Sequence, residues 1–302
     1  MTLASPTLPL AAVLRAHALW LANPAEGRRA DLSGVTFNEA KLAQENLSRA
    51  VLTGATLLDA ILTDANLTGC QMDRADLQRA NLAGADLSGA SLAHARFTGA
   101  WMPGANLSEI VAKEACFRRA KLKAARLVEA NVNDTSFQEA SAEEASFHQA
   151  RLSEVDFQDA RLSGAQFYHA RIQFSKFNGA DLSAAIFTGS KLDHCGFLRA
   201  KLTDVKFARA EIVQCSFREA DLRGSDFRDA RMRGSDFCRA ILTGARFGGA
   251  HLNTPDFRRA NLQGARDLTA EHLLQALTDD STTLPNGKRG PYLRYSGAEK
   301  PR

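Results

Sequence analysis

Residues 30–69, cut into fives, read ADLSG VTFNE AKLAQ ENLSR AVLTG ATLLD AILTD ANLTG. In most of these units the first residue is small, the third is leucine or phenylalanine, and the remaining three are polar. The same cut runs without a gap from Ala30 to Gly264, which makes 47 consecutive pentapeptides. A period of five suits neither the two-residue alternation of a strand nor the 3.6-residue turn of a helix. It needs a chain that turns a corner every five residues, so that four pentads close a square coil and the coils stack into a solenoid.

The third positions carry a second code. From Phe137 to Phe257 every tenth residue is phenylalanine, thirteen in succession, and the third positions between them are mostly leucine or isoleucine. On a four-sided coil this alternation places phenylalanine on two opposite walls and aliphatic residues on the other two. All of the 17 phenylalanines except Phe174 then face inward. Burial worth about 2 kcal/mol per side chain, together with ring stacking between coils, is what such a rod would be built on. The phenylalanine series therefore reads as core and not as a cofactor box.

Four units, ADLSG at 30–34, ANLTG at 65–69, ADLSG at 85–89 and ANLQG at 260–264, match the A(D/N)LxX motif almost to the letter. The chain resembles the pentapeptide-repeat family over about four fifths of its length. The resemblance implies an all-β fold, a right-handed quadrilateral β-helix with the first and third residues of each pentad inside. It would have about 12 coils and, at about 4.8 Å per coil, a length of about 55–60 Å.

An open solenoid exposes strand edges at both ends, so caps are expected. Residues 1–29 form the N-terminal segment, in which LAAVLRAHALWLA at 10–22 reads as a helix laying Leu14, Trp20 and Leu21 over the first coil. Glu45, at a position that is normally small and inward, points to imperfect early coils. At the other end, residues 265–302 hold a helix N-capped by Thr269, with Leu273, Leu274 and Leu277 as its apolar face. Residues 279–302 read as a loosely attached tail.

Composition narrows the function classes. The 38 basic residues nearly balance 34 acidic ones, and within residues 30–264 the count is 29 against 28. That argues against direct nucleic-acid binding. Five cysteines at 70, 116, 195, 215 and 238, with no CxxC spacing, argue against a disulfide framework or a zinc site and point to the cytoplasm. Cys195 and Cys215, both inward and twenty residues apart, read as substitutes for alanine. The apolar run at 8–22 lacks a basic start and is interrupted by Arg15 and His17, so it reads neither as a signal peptide nor as a membrane span. No catalytic motif, metal set or cofactor signature is found, and the chain is expected not to be an enzyme.

Because each outward position recurs every twenty residues, surface charge can be read in columns. Arg161, Asp181, Lys201 and Asp221 alternate, as do Lys206, Asp226 and Arg246, and Arg199, Glu219 and Arg239. Such ladders are individually weak but oppose slippage of the register. The Ser/Asp/Arg-rich string RGSDFRDARMRGSDFCRA at 223–240 resolves in the same way: Phe227, Met232 and Phe237 are inward, Ser225 and Ser235 take the small corner, and Asp226 belongs to a ladder. The basic run RRAKLKAAR at 118–126 faces Glu139 and Glu143 one coil on, which leaves little of it free.

Function is sought where the rule fails. Arg151, Arg171 and Lys191 stack with no acid between them, and Glu211 follows only afterwards. Beside them Phe174 occupies a corner facing solvent, with His194 next in its column. Trp101 and Val111 are apolar on a surface that is otherwise polar. These positions, Arg151, Arg171, Phe174, Lys191, His194 and Trp101, are the candidate contact residues for a protein partner. His148, Tyr168 and His169 are neighbours on a flat exterior and read as ordinary surface.

The resemblance implies a non-catalytic rigid scaffold for protein–protein interaction, in some relatives an effector or accessory protein of a bacterial secretion system. It also implies an alternative, a DNA-mimicking modulator of DNA gyrase or a related topoisomerase. That role asks for an acidic rod, whereas only residues 30–111 lean acidic, nine against five. Some relatives form homodimers through a C-terminal helix, which gives the helix after Thr269 a second use.

Overall fold

At the first corner the carbonyl of Leu32 accepts a hydrogen bond from the amide of Val35, at 3.2 Å, and Gly34 between them has φ of 65°. An i→i+3 bond with a positive φ at the third residue is a type II turn. The computed structural model, which describes residues 10–301, repeats this corner at most pentads up to Gly264. The fifth residue of each pentad must therefore occupy the left-handed region. Glycine does so without strain, and aspartate, glutamate, arginine and histidine take the place elsewhere.

Between corners the chain is extended for too short a distance to bond to itself, so it bonds to the next coil. Parallel bridges join residue i to residue i+20, from Asp31↔Val51 to Arg246↔Arg266. Four walls result, and we number them by their outward bridge residues: wall 1 (31, 51 to 251), wall 2 (36 to 256), wall 3 (41 to 261) and wall 4 (46 to 266). On wall 1 the bridges lengthen into eight regular strands: β1 (Val111–Lys113), β2 (Asn131–Asn133), β3 (Arg151–Ser153), β4 (Arg171–Gln173), β5 (Lys191–Asp193), β6 (Glu211–Val213), β7 (Arg231–Arg233) and β8 (His251–Asn253). These pair in sequence order, all parallel, through seven turns. The expected coil count of about 12 thus meets regular strands over seven turns only, and the rest of the twenty-residue stepping consists of single bridges.

The reason wall 1 differs lies at its far corner. Residues 115, 135, 155, 175, 195, 215 and 235 donate no i→i+3 bond among the described residues. From 135 onward that column leaves alanine and reads Thr, Val, Ser, Cys, Cys, Ser, Pro. Side chains on the column take up some of the freed groups: Val155 N–H donates to Ser175 Oγ at 3.1 Å and Cys195 N–H to Cys215 Sγ at 3.4 Å. Pro255, at the end of the column, has no N–H to place.

The core follows the predicted code. Phe97, Phe117 and the wall 2 rings to Phe237 stack with centroids 4.7–5.0 Å apart, and the wall 4 rings from Phe147 to Phe247 stack at 4.6–5.2 Å. All are fully buried. Phe174 is 53% exposed, as expected, while Phe37, in the first coil, is only half-buried.

The caps depart from expectation in detail. Helix α1 (Leu10–Ala22) lies over the first coil, with Leu10, Val13 and Leu14 packed on the core. Trp20 and Leu21 are only half-buried, and His17 is instead the fully buried residue. The start of the N-terminal segment, residues 1–9, and the last residue, 302, lie outside the described residues. Helix α2 (Ala270–Gln275) is N-capped by Thr269, whose hydroxyl accepts from His272 N–H at 3.2 Å, but only Leu273 is buried. Leu274 and Leu277 are exposed. The expected loose tail is overturned. After α2 the chain rejoins the ladder through Asp256↔Leu277 and Asn261↔Thr283, and it buries Thr282, Leu284, Tyr292 and Ala298. Hydrogen bonds the solenoid end leaves open draw this segment in: Leu262 N–H donates to Thr283 O and Gly264 N–H to Pro285 O.

Candidate interaction surface

Among the described residues, the bridges lengthen into regular strands on wall 1. Strand alternation points the first and third residue of each strand outward and buries the second. The outward column reads Val111, Asn131, Arg151, Arg171, Lys191, Glu211, Arg231, His251, each in register with the next. Two of the shallow depressions on this face, about 510 and 730 Å³, are both lined by Arg151 and Arg171. The larger one runs to Lys191 and is bordered by Glu109, Glu129 and His169.

Parallel pairing places Arg151, Arg171 and Lys191 one above another. Lys191 is held by Glu211 at 3.1 Å. Arg151 and Arg171 make no ion pair among the described residues. Phe174 stands at the corner beside them, its ring stacked on His194 with centroids 5.2 Å apart and planes at 25°. His194 in turn reaches Asp193 at 2.8 Å. Phe174 therefore rests on a neighbouring imidazole. Its φ of 51° puts a bulky side chain in the left-handed region, an uncommon arrangement for phenylalanine.

Five of the six candidates thus share one face, and Trp101 does not. It bridges Asn81 and Lys121 on wall 3, the opposite wall, where it is 52% exposed. Arithmetic on the sequence contains this separation, since 101 and 151 differ by two and a half coils. Val111, equally exposed, does lie on wall 1. His148, Tyr168 and His169 are neighbours, with ring centroids about 6 Å apart.

Several of the other charges are paired, and not always as the columns suggest. Arg199 and Arg239 both hold Glu219, at 2.8 and 3.3 Å, and Lys201 reaches Asp181 at 3.2 Å. In the basic run, Arg118 and Arg119 converge on Glu139, each at 2.8 Å. Hydrogen bonds from Arg119 and then Arg118 hold the Glu139 carboxyl down at about 2. Lys123 meets Glu144, at 3.8 Å, rather than Glu143. The ladder drawn through Asp226 is not formed. Asp226 is held within its own coil by Arg228, at 2.7 Å, as Asp221 is by Arg223 and Asp256 by Arg258. Two residues on along the same wall is a shorter reach than the next coil, and the planar guanidinium can grip both carboxylate oxygens. Hydrogen bonding from Arg228 lowers the Asp226 pKa accordingly.

Family models match nearly all of the coiled region. A model described as "Pentapeptide repeats (8 copies)" matches residues 30–69 and 70–108, and one described as "Pentapeptide repeat region" matches 90–167, 112–187 and 190–266. No curated protein matches the sequence. Among solved structures, the chain is similar to HetL, a pentapeptide repeat protein involved in heterocyst differentiation regulation from the cyanobacterium Nostoc sp. strain PCC 7120. The identity is 25%, the match covers 89% of this chain and 97% of HetL, and the TM-score is 0.39. A pentapeptide repeat protein from the thylakoid lumen of Arabidopsis thaliana is 23% identical over 44% of this chain and 83% of its own, with a TM-score of 0.22. Full-length QnrB1, a plasmid-mediated fluoroquinolone resistance protein, is 18% identical over 72% and 86%, with a TM-score of 0.19.

Proposed function

Because this chain belongs to the pentapeptide-repeat family, we propose that it acts as a non-catalytic, rigid scaffold whose wall 1 receives an acidic protein partner. The observation that carries this reading is the stack of Arg151 and Arg171, two cations in register with no acid attached, on a flat wall and beside the exposed Phe174. Two cations without an ion-pair partner among the described residues attract a carboxylate, and a flanking aromatic adds apolar contact area. Capture of partners from the native cell lysate tests it, with the wild type compared against an Arg151→Glu/Arg171→Glu variant and a Trp101→Ala variant. The double variant is expected to lose partners that the Trp101 variant, altered on the opposite wall, retains. Identical partner sets from wild type and double variant would discard the wall 1 reading.

A second reading is a DNA-mimicking modulator of gyrase. It is favoured by the acidic lean of residues 30–111 and by Glu114, Asp134 and Glu154, which succeed one another at one corner of wall 1. A supercoiling assay separates the two, since absence of inhibition or protection at micromolar protein removes the mimic. Service as an effector or accessory of a bacterial secretion system fits the same scaffold and rests on family analogy. Five free thiols support a cytoplasmic setting, and no described helix is long and apolar enough to cross a membrane. Exposed Leu274 and Leu277 support a homodimer contact near the C-terminal helix.

A further inference from the structure

Both caps of this rod are tied down by a histidine, and in each case the hydrogen bonds specify a neutral ring. His17 of α1 is fully buried. Its Nδ1 accepts the amide N–H of Ala30 at 3.1 Å, at the entry to the first coil, and its Nε2 lies 3.1 Å from the carbonyl of Ser48, at the end of that coil. An amide can only donate and a carbonyl can only accept. The ring must therefore carry its single proton on Nε2 and none on Nδ1. A second proton could go only on Nδ1, where it would meet the Ala30 N–H head on.

Among the influences on the ring only the hydrogen bond to the Ser48 carbonyl favours a positive charge, and burial outweighs it. On the helix itself Trp20 stacks on His17, with centroids 5.5 Å apart. From the connecting segment and first coil, Arg28, Arg29 and Asp31 line the small cleft beside α1, and the Arg29 charge opposes protonation. Burial, the largest influence, holds the His17 pKa below its ordinary value.

The other end repeats the device. His272 of α2 accepts the Thr269 N–H on Nδ1 at 3.3 Å, inside the capping box, and its ring also meets the Ala250 backbone of the last regular coil. Burial again lowers its pKa, opposed by the Ala250 backbone bond and by Glu271 and reinforced by His251.

We propose that His17 and His272 are acid-released latches: protonation undocks the capping helices, α1 from the first coil and α2 from β8, while the phenylalanine-filled middle stays folded. The sign follows from linkage. The docked ring binds its proton less readily than a free one, so docking is strongest above about pH 6.5 and weakens by up to tenfold per pH unit as pH falls from there to the docked pKa. The middle coils contain no histidine in their core, and their aliphatic and aromatic contacts do not titrate.

Amide hydrogen exchange on the full chain between pH 8 and pH 4.5, corrected for intrinsic exchange rates, tests the proposal. The Ala30 and Thr269 amides, which donate to the two rings, are expected to lose protection in acid while the amides of Phe157 and Phe177 keep theirs. Glutamine carries a donor and an acceptor but does not titrate, so His17→Gln is expected to abolish the acid response at Ala30 alone, and His272→Gln the response at Thr269 alone. Protection at both ends that is independent of pH would overturn the latches, as would loss of middle-coil protection at the same pH. So would an undiminished acid response in the glutamine variants.

Discussion

Phe137 on wall 2 and Phe147 on wall 4 meet across the interior of the coil, ring centroids 6.3 Å apart and planes at 81°. The pattern continues upward, so that each ring lies flat on those above and below on its own wall and edge-on to those opposite. Phe177 is typical, stacked on Phe157 and Phe197 at 4.9 Å and edge-on to Phe167 and Phe187 at 6.1 and 6.3 Å. Phe177→Ala would vacate a site bounded above, below and opposite by other rings that cannot collapse into it. A loss of about 3–5 kcal/mol is expected in chemical denaturation. A loss below about 1 kcal/mol would show that the stack repacks freely.

Phe174→Gly gives the opposite expectation. The backbone there sits at φ of 51°, where glycine is unstrained, and the side chain contributes mainly its stack on His194. Folding stability should stay level or rise by up to about 1 kcal/mol, while partner capture through wall 1 falls. A destabilised protein in thermal denaturation would mean that the His194 stack outweighs the backbone relief.

Glu139 reports on the basic run. Its carboxyl is drawn down to about 2 by Arg119 and Arg118. Because the folded pKa is depressed, this clamp is complete above the ordinary glutamate pKa near 4.5 and is lost as pH falls through about 2. NMR titration of the side-chain carboxyl should place its midpoint well below 4, and Arg119→Gln should move it upward. A midpoint at 4.5 in the wild type would mean the two arginines do not converge on it in solution.

The cysteines should differ in reactivity. Burial pushes the Cys70 thiol up to about 12, and Cys215, in contact with Cys195, is raised well above the ordinary range by that thiol and by burial. Cys116 is only half-buried. Alkylation of the native protein at pH 8, read by mass spectrometry, is expected to modify Cys116 ahead of Cys70, Cys195 and Cys215, which react only on unfolding. Equal rates at all of these sites would place the coil interior within reach of reagent.

What the sequence determined by itself is the coil. A five-residue period with a small residue first and a large apolar residue third admits one kind of closure, and the phenylalanine series from 137 to 257 assigns the walls, because inward positions have no choice of partner. The stack of Arg151, Arg171 and Lys191 was equally legible, since the ladder makes neighbours of residues twenty apart. Even the distinct geometry of wall 1 left a trace in the column from Thr135 to Pro255.

Tertiary structure decided what happens where more than one partner is in reach. Asp226 had Lys206, Arg246 and Arg228 to choose from and took the nearest planar donor, so a column alone misassigned it. His17 looked like an interruption in an apolar helix, and only the position of α1 over the coil turned it into a bridge between Ala30 and Ser48. The C-terminal segment has no five-residue period to announce it, yet it rejoins the ladder because unpaired backbone groups at the last coil are costly to leave open. A repeat specifies its interior through periodicity, whereas surfaces and ends are settled by distance and by the hydrogen bonds still to be made.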